Sequence, residues 1–173
     1  MTQVENAIED RTHTAGRIVG LLHGGVSVSD LARSLRFYRD ELGLQVLYER
    51  DASEDYLRRM HGLPFTVVRL VFLAIPNSTA VLELLEYGGI DVRKPTYIPM
   101  DPATGHLCFL VDDIQALFAR LSEAGHPFRS NEPVEIATGP NKGSSAIYTE
   151  DPDGYPVEFI QRPAHYQRRK RSR

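Results

Sequence analysis

The chain has 173 residues, 42% hydrophobic and 25% charged, which suits one soluble globular domain or two small modules sharing a core. A chain of this length buries roughly 70% of the surface its unfolded form exposes, so folding needs no disulfide, and the single Cys108 rules out an intrachain one. No apolar run approaches the ~20 residues of a membrane span, and the polar, acidic opening MTQVENAIEDRTHTAG lacks the apolar core of a secretory signal; the cytoplasm is the expected location. Net charge is -3, but five cations crowd into the tail QRRKRSR, and without them 15 basic residues face 23 acidic ones. A nucleic-acid binder carries its cations on the folded body, so neither nucleic acid nor a membrane is an expected partner.

Residues 1–16 have few apolar positions and no periodicity, and are expected to be disordered. RIVGLLHGGVSV then reads as a strand ending at Ser29 and Asp30, both natural helix N-caps. Leu31, Leu35, Tyr38 and Leu42 recur at helical spacing until Gly43. LQVLYER alternates as a strand, SEDYLRRMHGLP predicts a short helix closed by Gly62 and Pro64, and TVVRLVFLAI and TAVLELLEY are β-rich runs joined at Pro76-Asn77-Ser78. Residues 88–105 hold glycines and prolines without periodicity and read as a linker. The order then begins again: HLCFLVDD as a strand, DIQALFARLSEAG as a helix, HPFRSNEPVEI as a strand or two, and SSAIYTE and PVEFIQR as strands around the turn DPDG.

The halves overlay. A shift of 83 residues places His23 on His106, Val28 on Val111, Asp30 on Asp113, Leu31 on Ile114 and Leu35 on Phe118. Five matches in one secondary-structure order indicate an internal duplication. The expected fold is therefore α+β, two paired β-α-β-β-β modules forming a metal-binding cleft: module one over 17–87, the linker over 88–105, module two over 106–163 and a basic tail over 164–173.

The apolar strands are interrupted at His23 in LLHGGV, Glu83 in VLELLE, His106 in GHLCFL and Glu158 in PVEFIQ. A carboxylate inside a strand is costly unless paired or ligating a metal. Two imidazoles and two carboxylates suit one divalent ion per chain (zinc, nickel, cobalt, manganese or iron(II)) and leave positions open for substrate.

LHGGVSVSDLARSLRFYRDELGLQV, AVLELLEY, GHLCFLVDDIQALFARLSEAG and IYTEDPDGYPVEFIQ together resemble the vicinal oxygen chelate superfamily. That group holds glyoxalase I, methylmalonyl-CoA epimerase, extradiol dioxygenases and drug-resistance proteins. The resemblance spans roughly residues 17–163 and is nearest to the glyoxalase-I-like branch. It implies that His23, Glu83, His106 and Glu158 hold a metal that chelates two adjacent oxygens of a small substrate. It also implies a lyase, isomerase or epimerase that stabilises an enediolate-type intermediate, with Glu158 and Glu83 as the candidate proton carriers, Glu158 ahead. An iron-dependent ring-cleavage-type dioxygenase and a small-molecule binding or resistance protein are the alternatives. Bacterial glyoxalase I generally carries Arg four residues after the first His and Asn four after the first Glu, for glutathione. Here those positions are Ser27 and Tyr87. Cys108, two residues from His106 and so on the same strand face, joins Tyr148, Lys142 and Arg58 as candidate substrate contacts. Related proteins are commonly homodimers, which makes a homodimer the expected assembly. The ligands then come from one chain or are shared across the two-fold axis.

Overall fold

The computed structural model describes residues 16–93 and 100–164. The segment 1–16 expected to be disordered and the basic tail 164–173, each but for one residue, and the middle of the linker lie outside the described residues.

The two aspartates matched by the 83-residue shift do the same local work. Asp30 has an extended backbone, and its side chain accepts the N–H of Arg33 at the start of helix α1 (Leu31–Leu35). Asp113 accepts the N–H groups of Gln115 and Ala116 at the start of α3 (Ile114–Glu123). Each satisfies donors that a helix N-terminus leaves without intrahelical partners. Helix α1 continues as a π-helical stretch over Arg36–Glu41, where Phe37 and Tyr38 are both buried, and Gly43 (φ 78°) supplies the left-handed residue that ends it.

Module one contains β1 (His23–Ser27), α1, β2 (Gln45–Ala52), α2 (Asp55–His61), β3 (Val67–Ala74) and β4 (Val81–Gly88). Its sheet order is β1-β4-β3-β2, with β1 parallel to β4 and the other pairs antiparallel. Module two contains β5 (Leu107–Val111), α3, β6 (Val134–Glu135), β7 (Ser145–Glu150) and β8 (Pro156–Gln161), ordered β5-β8-β7-β6 with the same parallel first pair. The fold is the α+β pair of β-α-β-β-β modules read from the sequence, with α2 added to the first.

Three boundaries differ from the sequence reading. The strand expected over residues 17–28 begins only at His23, because β4 starts at Val81, directly opposite. Before it, Ile18, Val19, Leu21 and Leu22 stand exposed. His106 immediately precedes β5 rather than lying inside it. The segment expected to give a strand or two after α3 yields a Phe128–Thr149 bridge and the two-residue β6, since Pro127 and Pro133 donate nothing to a ladder.

Alternation sorts the sheet faces. Leu82 and Leu84 of β4 are fully buried against the helical side, in a core that draws Val26, Phe37, Tyr38 and Leu73 from module one and Ile114, Leu121, Ile147 and Phe159 from module two. Burying each such side chain stabilises the fold by about 1.5–3 kcal/mol. Glu83, Leu85 and Tyr87 point to the other face, where Val68 and Leu70 pack with Leu57 of α2 and with Phe65. Helix α2 thus covers one end of the face that carries Glu83.

The turn DPDG joins the modules. Asp153 accepts the Ser29 N–H (2.8 Å), the Ser29 hydroxyl (2.6 Å) and an Arg33 Nη2 contact (2.5 Å). Tyr38 donates its buried hydroxyl to Asp151 (3.0 Å), and His126 Nε2 contacts Glu41 at 2.5 Å. These contacts cross about 85 to 124 residues of sequence and fix the modules in one body. No helix among the described residues is long and apolar enough to cross a membrane.

Candidate metal centre

Strand register places the four candidate ligands. Glu83 sits in the middle of β4, directly across from Gly25 of β1 and Phe72 of β3. His23 opens β1 two residues before Gly25 and so faces the same way, with Nε2 3.3 Å from Glu83 Oε2. Module two repeats this arrangement. Glu158 in β8 lies across from Cys108 of β5 and Tyr148 of β7, and His106 Nε2 is 3.1 Å from Glu158 Oε2. The carboxylates are only 14% and 13% exposed, while the imidazoles, at 39% and 46%, reach open space. A largely buried carboxylate needs a compensating partner. Each pair offers one such partner and leaves a nitrogen and an oxygen donor side by side, the chemistry that a first-row divalent cation takes.

The two pairs stay apart among the described residues. Among the described residues, no group of three or more His, Cys, Asp or Glu side chains is placed to hold an ion. The edges that carry the two pairs do abut: a Cβ built on Gly24 of β1 lies 3.8 Å from Leu107 Cδ2 of β5. One chain therefore presents two separate His–Glu pairs, each beside an edge strand, β1 or β5, of its sheet.

The remaining candidates divide. Cys108 and Tyr148 lie at the second pair. Partial burial, then Glu158, pushes the Cys108 thiol up to about 12, and the same two causes push the Tyr148 phenol to about 12. Both are neutral hydrogen-bond donors at pH 7, and Cys108 has no thiolate character. The Tyr148 ring packs edge-on against His106 at 5.5 Å. Arg58 is occupied on its own helix, donating to the Ser53 carbonyl (2.9 Å) and pairing with Asp55. Lys142 stands exposed in a turn closed by its N–H to the Gly139 carbonyl (3.2 Å).

The contacts around the first pair escape sequence reasoning. His61, at the end of α2, has Nδ1 2.9 Å from the Tyr87 hydroxyl, and both rings pack on buried Phe65. Tyr87 lies four residues after Glu83 on the same face, and burial and then Glu83 push its phenol upward. Phe72 stands 6.1 Å from the His23 ring and stacks on Tyr48 at 6.2 Å. His61 and Tyr87 are 26 residues apart, so no local spacing reveals the pair. A cavity of about 400 Å³ between the modules, bounded by Leu44, Ile75, Leu110, Leu117 and Phe159, touches the second half-site through Cys108.

Comparison with known proteins agrees with this architecture. Residues 20–159 match the family model for the Glyoxalase/Bleomycin resistance protein/Dioxygenase superfamily. The lactoylglutathione lyase of Haemophilus influenzae is 33% identical over 145 residues, covering 82% of this chain and 91% of that protein. A 2-epi-5-epi-valiolone epimerase from an Actinomyces species is 26% identical over 148 residues, covering 84% and 81%. Among solved structures, a Bacillus cereus glyoxalase family protein shares the fold with a TM-score of 0.73 at 16% identity, covering 86% of this chain and 97% of that one. The trypanothione-dependent glyoxalase I of Leishmania major superposes with a TM-score of 0.59 at 28% identity, covering 88% and 93%. The duplicated β-α-β-β-β topology and the sequence match lead to one assignment: the chain belongs to the Glyoxalase/Bleomycin resistance protein/Dioxygenase superfamily.

Proposed function

We propose that this chain is a divalent-metal-dependent lyase or isomerase of the glyoxalase type, acting on a small substrate with two adjacent oxygens. The observation that carries this reading is the repetition of a His–Glu pair, at 3.3 and 3.1 Å, at equivalent register positions in both modules. Because each chain presents two half-sets, the complete set of four is His23 and Glu83 of one copy with His106 and Glu158 of a second copy. A two-fold dimer then holds two such sites, one per chain.

His23, Glu83, His106 and Glu158 would hold a divalent cation, which would supply Lewis acidity to the substrate oxygens when bound. The chain's own residues do the rest. Glu83 and Glu158 are the carboxylates of the site that would serve as base, and a carboxylate that takes a proton from one substrate carbon and returns it to the next completes an isomerisation. Returning it to the opposite face of the same carbon is an epimerisation, a reading supported by the epimerase among the relatives. Phe72 and Tyr48 form an apolar wall beside His23, while α2 and the His61–Tyr87 contact close the end of that face. This end differs in chemistry from a peptide-binding subsite: Tyr87 is engaged with His61, and Ser27 brings no charge. The relatives named lactoylglutathione lyase support the reaction type, and this wall favours a smaller, less polar substrate than a glutathione adduct.

The test is turnover, with and without dioxygen, of hemithioacetals made from methylglyoxal and a panel of small thiols, and of small α-hydroxyketones monitored for proton exchange. The proposal expects metal-dependent turnover that proceeds anaerobically. Turnover that stops without dioxygen would replace it with the dioxygenase reading.

A further inference from the structure

The half-sites match in their ligand pairs but not in what flanks each carboxylate. Residues directly across a sheet share a face and have Cβ atoms about 4.5–5.5 Å apart. Glu83 is flanked by Gly25 and Phe72, neither of which has a side-chain donor. Glu158 is flanked in the equivalent places by Cys108 and Tyr148, whose thiol and phenol side chains stand next to its carboxylate on the same face. The aromatic rings occupy corresponding positions, Phe72 at 6.1 Å from His23 and Tyr148 at 5.5 Å from His106, so the second module adds a hydroxyl where the first has none. It also adds a thiol where the first has only a backbone.

We propose that Cys108 and Tyr148 are positioning residues that hold the Glu158 carboxylate in its ligating orientation, making module two the pre-organised half of the metal site and module one the open half. This rests on the metal-site reading above. A carboxylate with two oxygens accepts several hydrogen bonds while still offering a lone pair to a cation. Donors to one oxygen restrict rotation about the terminal torsion, which is otherwise broad. Such outer partners to a ligand change metal affinity by about 10–100-fold when removed. The phenol is the stronger donor and the thiol the weaker. Across the sheet from Glu83, Gly25 offers no side chain at all: a Cβ built there would lie 3.7 Å from both Glu83 Oε2 and Leu85 Cδ1, so nothing from β1 donates to that carboxylate.

The experiment is titration of the metal-free full-length protein with cobalt(II), reading affinity by calorimetry and ligand geometry by the visible absorption bands. The variants are Glu158→Ala, Tyr148→Phe, Cys108→Ala and Cys108→Ser. Tyr148→Phe keeps the ring against His106 and removes only the hydroxyl, and matching metal-free melting temperatures show that the fold is intact. The expected result is loss of tight binding in Glu158→Ala, about tenfold weaker binding with altered bands in Tyr148→Phe, and a smaller loss in Cys108→Ala. Cys108→Ser should restore affinity, because a hydroxyl donates where the methyl cannot. If Glu158→Ala loses the metal while Tyr148→Phe and Cys108→Ala stay within twofold of the natural chain, the positioning role is overturned and the metal site stands. If Glu158→Ala still binds tightly, the metal-site reading falls and takes this one with it.

Discussion

Replacing Asp153 by alanine removes the acceptor that ties module two to the start of α1. The carboxylate takes the Ser29 N–H at 2.8 Å and the Ser29 hydroxyl at 2.6 Å, and contacts Arg33 at 2.5 Å, with its side chain 13% exposed. A hydrogen bond to a charged group contributes about 1.5–3 kcal/mol. The Arg33 side chain is 37% exposed, so solvent screening holds its ion pair to about 1 kcal/mol or less. Allowing for water at the freed Ser29 groups, Asp153→Ala should lose about 2–3 kcal/mol. At roughly 2–4 °C per kcal/mol for a chain of this size, the melting temperature should fall by about 5–10 °C. Burial opposes ionisation of Asp153, but the Ser29 hydroxyl and N–H and the Arg33 charge outweigh it and hold the carboxyl below the usual aspartate range. A lowered folded value means that the stabilisation is present above the unfolded value, about 3.9, and is lost as pH falls through the folded one. The gap between natural chain and variant should therefore be full at pH 6 and shrink below pH 4. Urea unfolding at several pH values measures it, and a gap under about 0.5 kcal/mol at pH 6, or one that widens in acid, would refute the latch.

The other predictions concern the site. His106→Ala and Glu158→Ala should abolish tight metal binding, while added metal should raise the melting temperature of the natural chain, by about 2.7 kcal/mol of stability at a free concentration one hundred times Kd, and a chelator should reverse it; metal content unchanged in both variants would remove the site. Turnover of the glutathione hemithioacetal of methylglyoxal should be poor, and a kcat/KM within about 10⁴–10⁸ M⁻¹s⁻¹ would show that Ser27 and Tyr87 are no obstacle to glutathione. Light scattering at micromolar concentration should report a dimer, and the 19.5 kDa monomer mass with metal bound would contradict the shared site.

What the sequence made legible is whatever repeats or is local. Asp30 and Asp113 announce helix starts by type and position, and both cap them. His23 and His106 stand out because duplication placed a histidine at the head of the corresponding apolar run in both modules. The distinction between Glu83 and Glu158 was not legible, because it depends on which residues lie across the sheet, and Phe72 and Tyr148 become their neighbours only once β3 and β7 pair in register. The His61–Tyr87 contact depends on where an inserted helix lands. The length of β1 is not legible from composition, because residues 17–22 are apolar enough for a strand but have no partner strand beside them. Ligand types name the chemistry, while the placement of the two sheets decides whether one chain can complete the set.

That last point has a direct measurement. Chains carrying His23→Ala and chains carrying Glu158→Ala are each purified, confirmed to lack tight metal binding, then unfolded together, refolded as mixed dimers and titrated with metal. In a mixed dimer, His23 and Glu83 of the Glu158→Ala chain meet His106 and Glu158 of the His23→Ala chain, so one intact site forms for every two chains. Mixed dimers should bind one ion with the affinity of the natural protein, while each variant alone binds none tightly. No recovery in mixed dimers that scattering shows to have formed would mean that each chain completes its own site, and would contradict the shared centre.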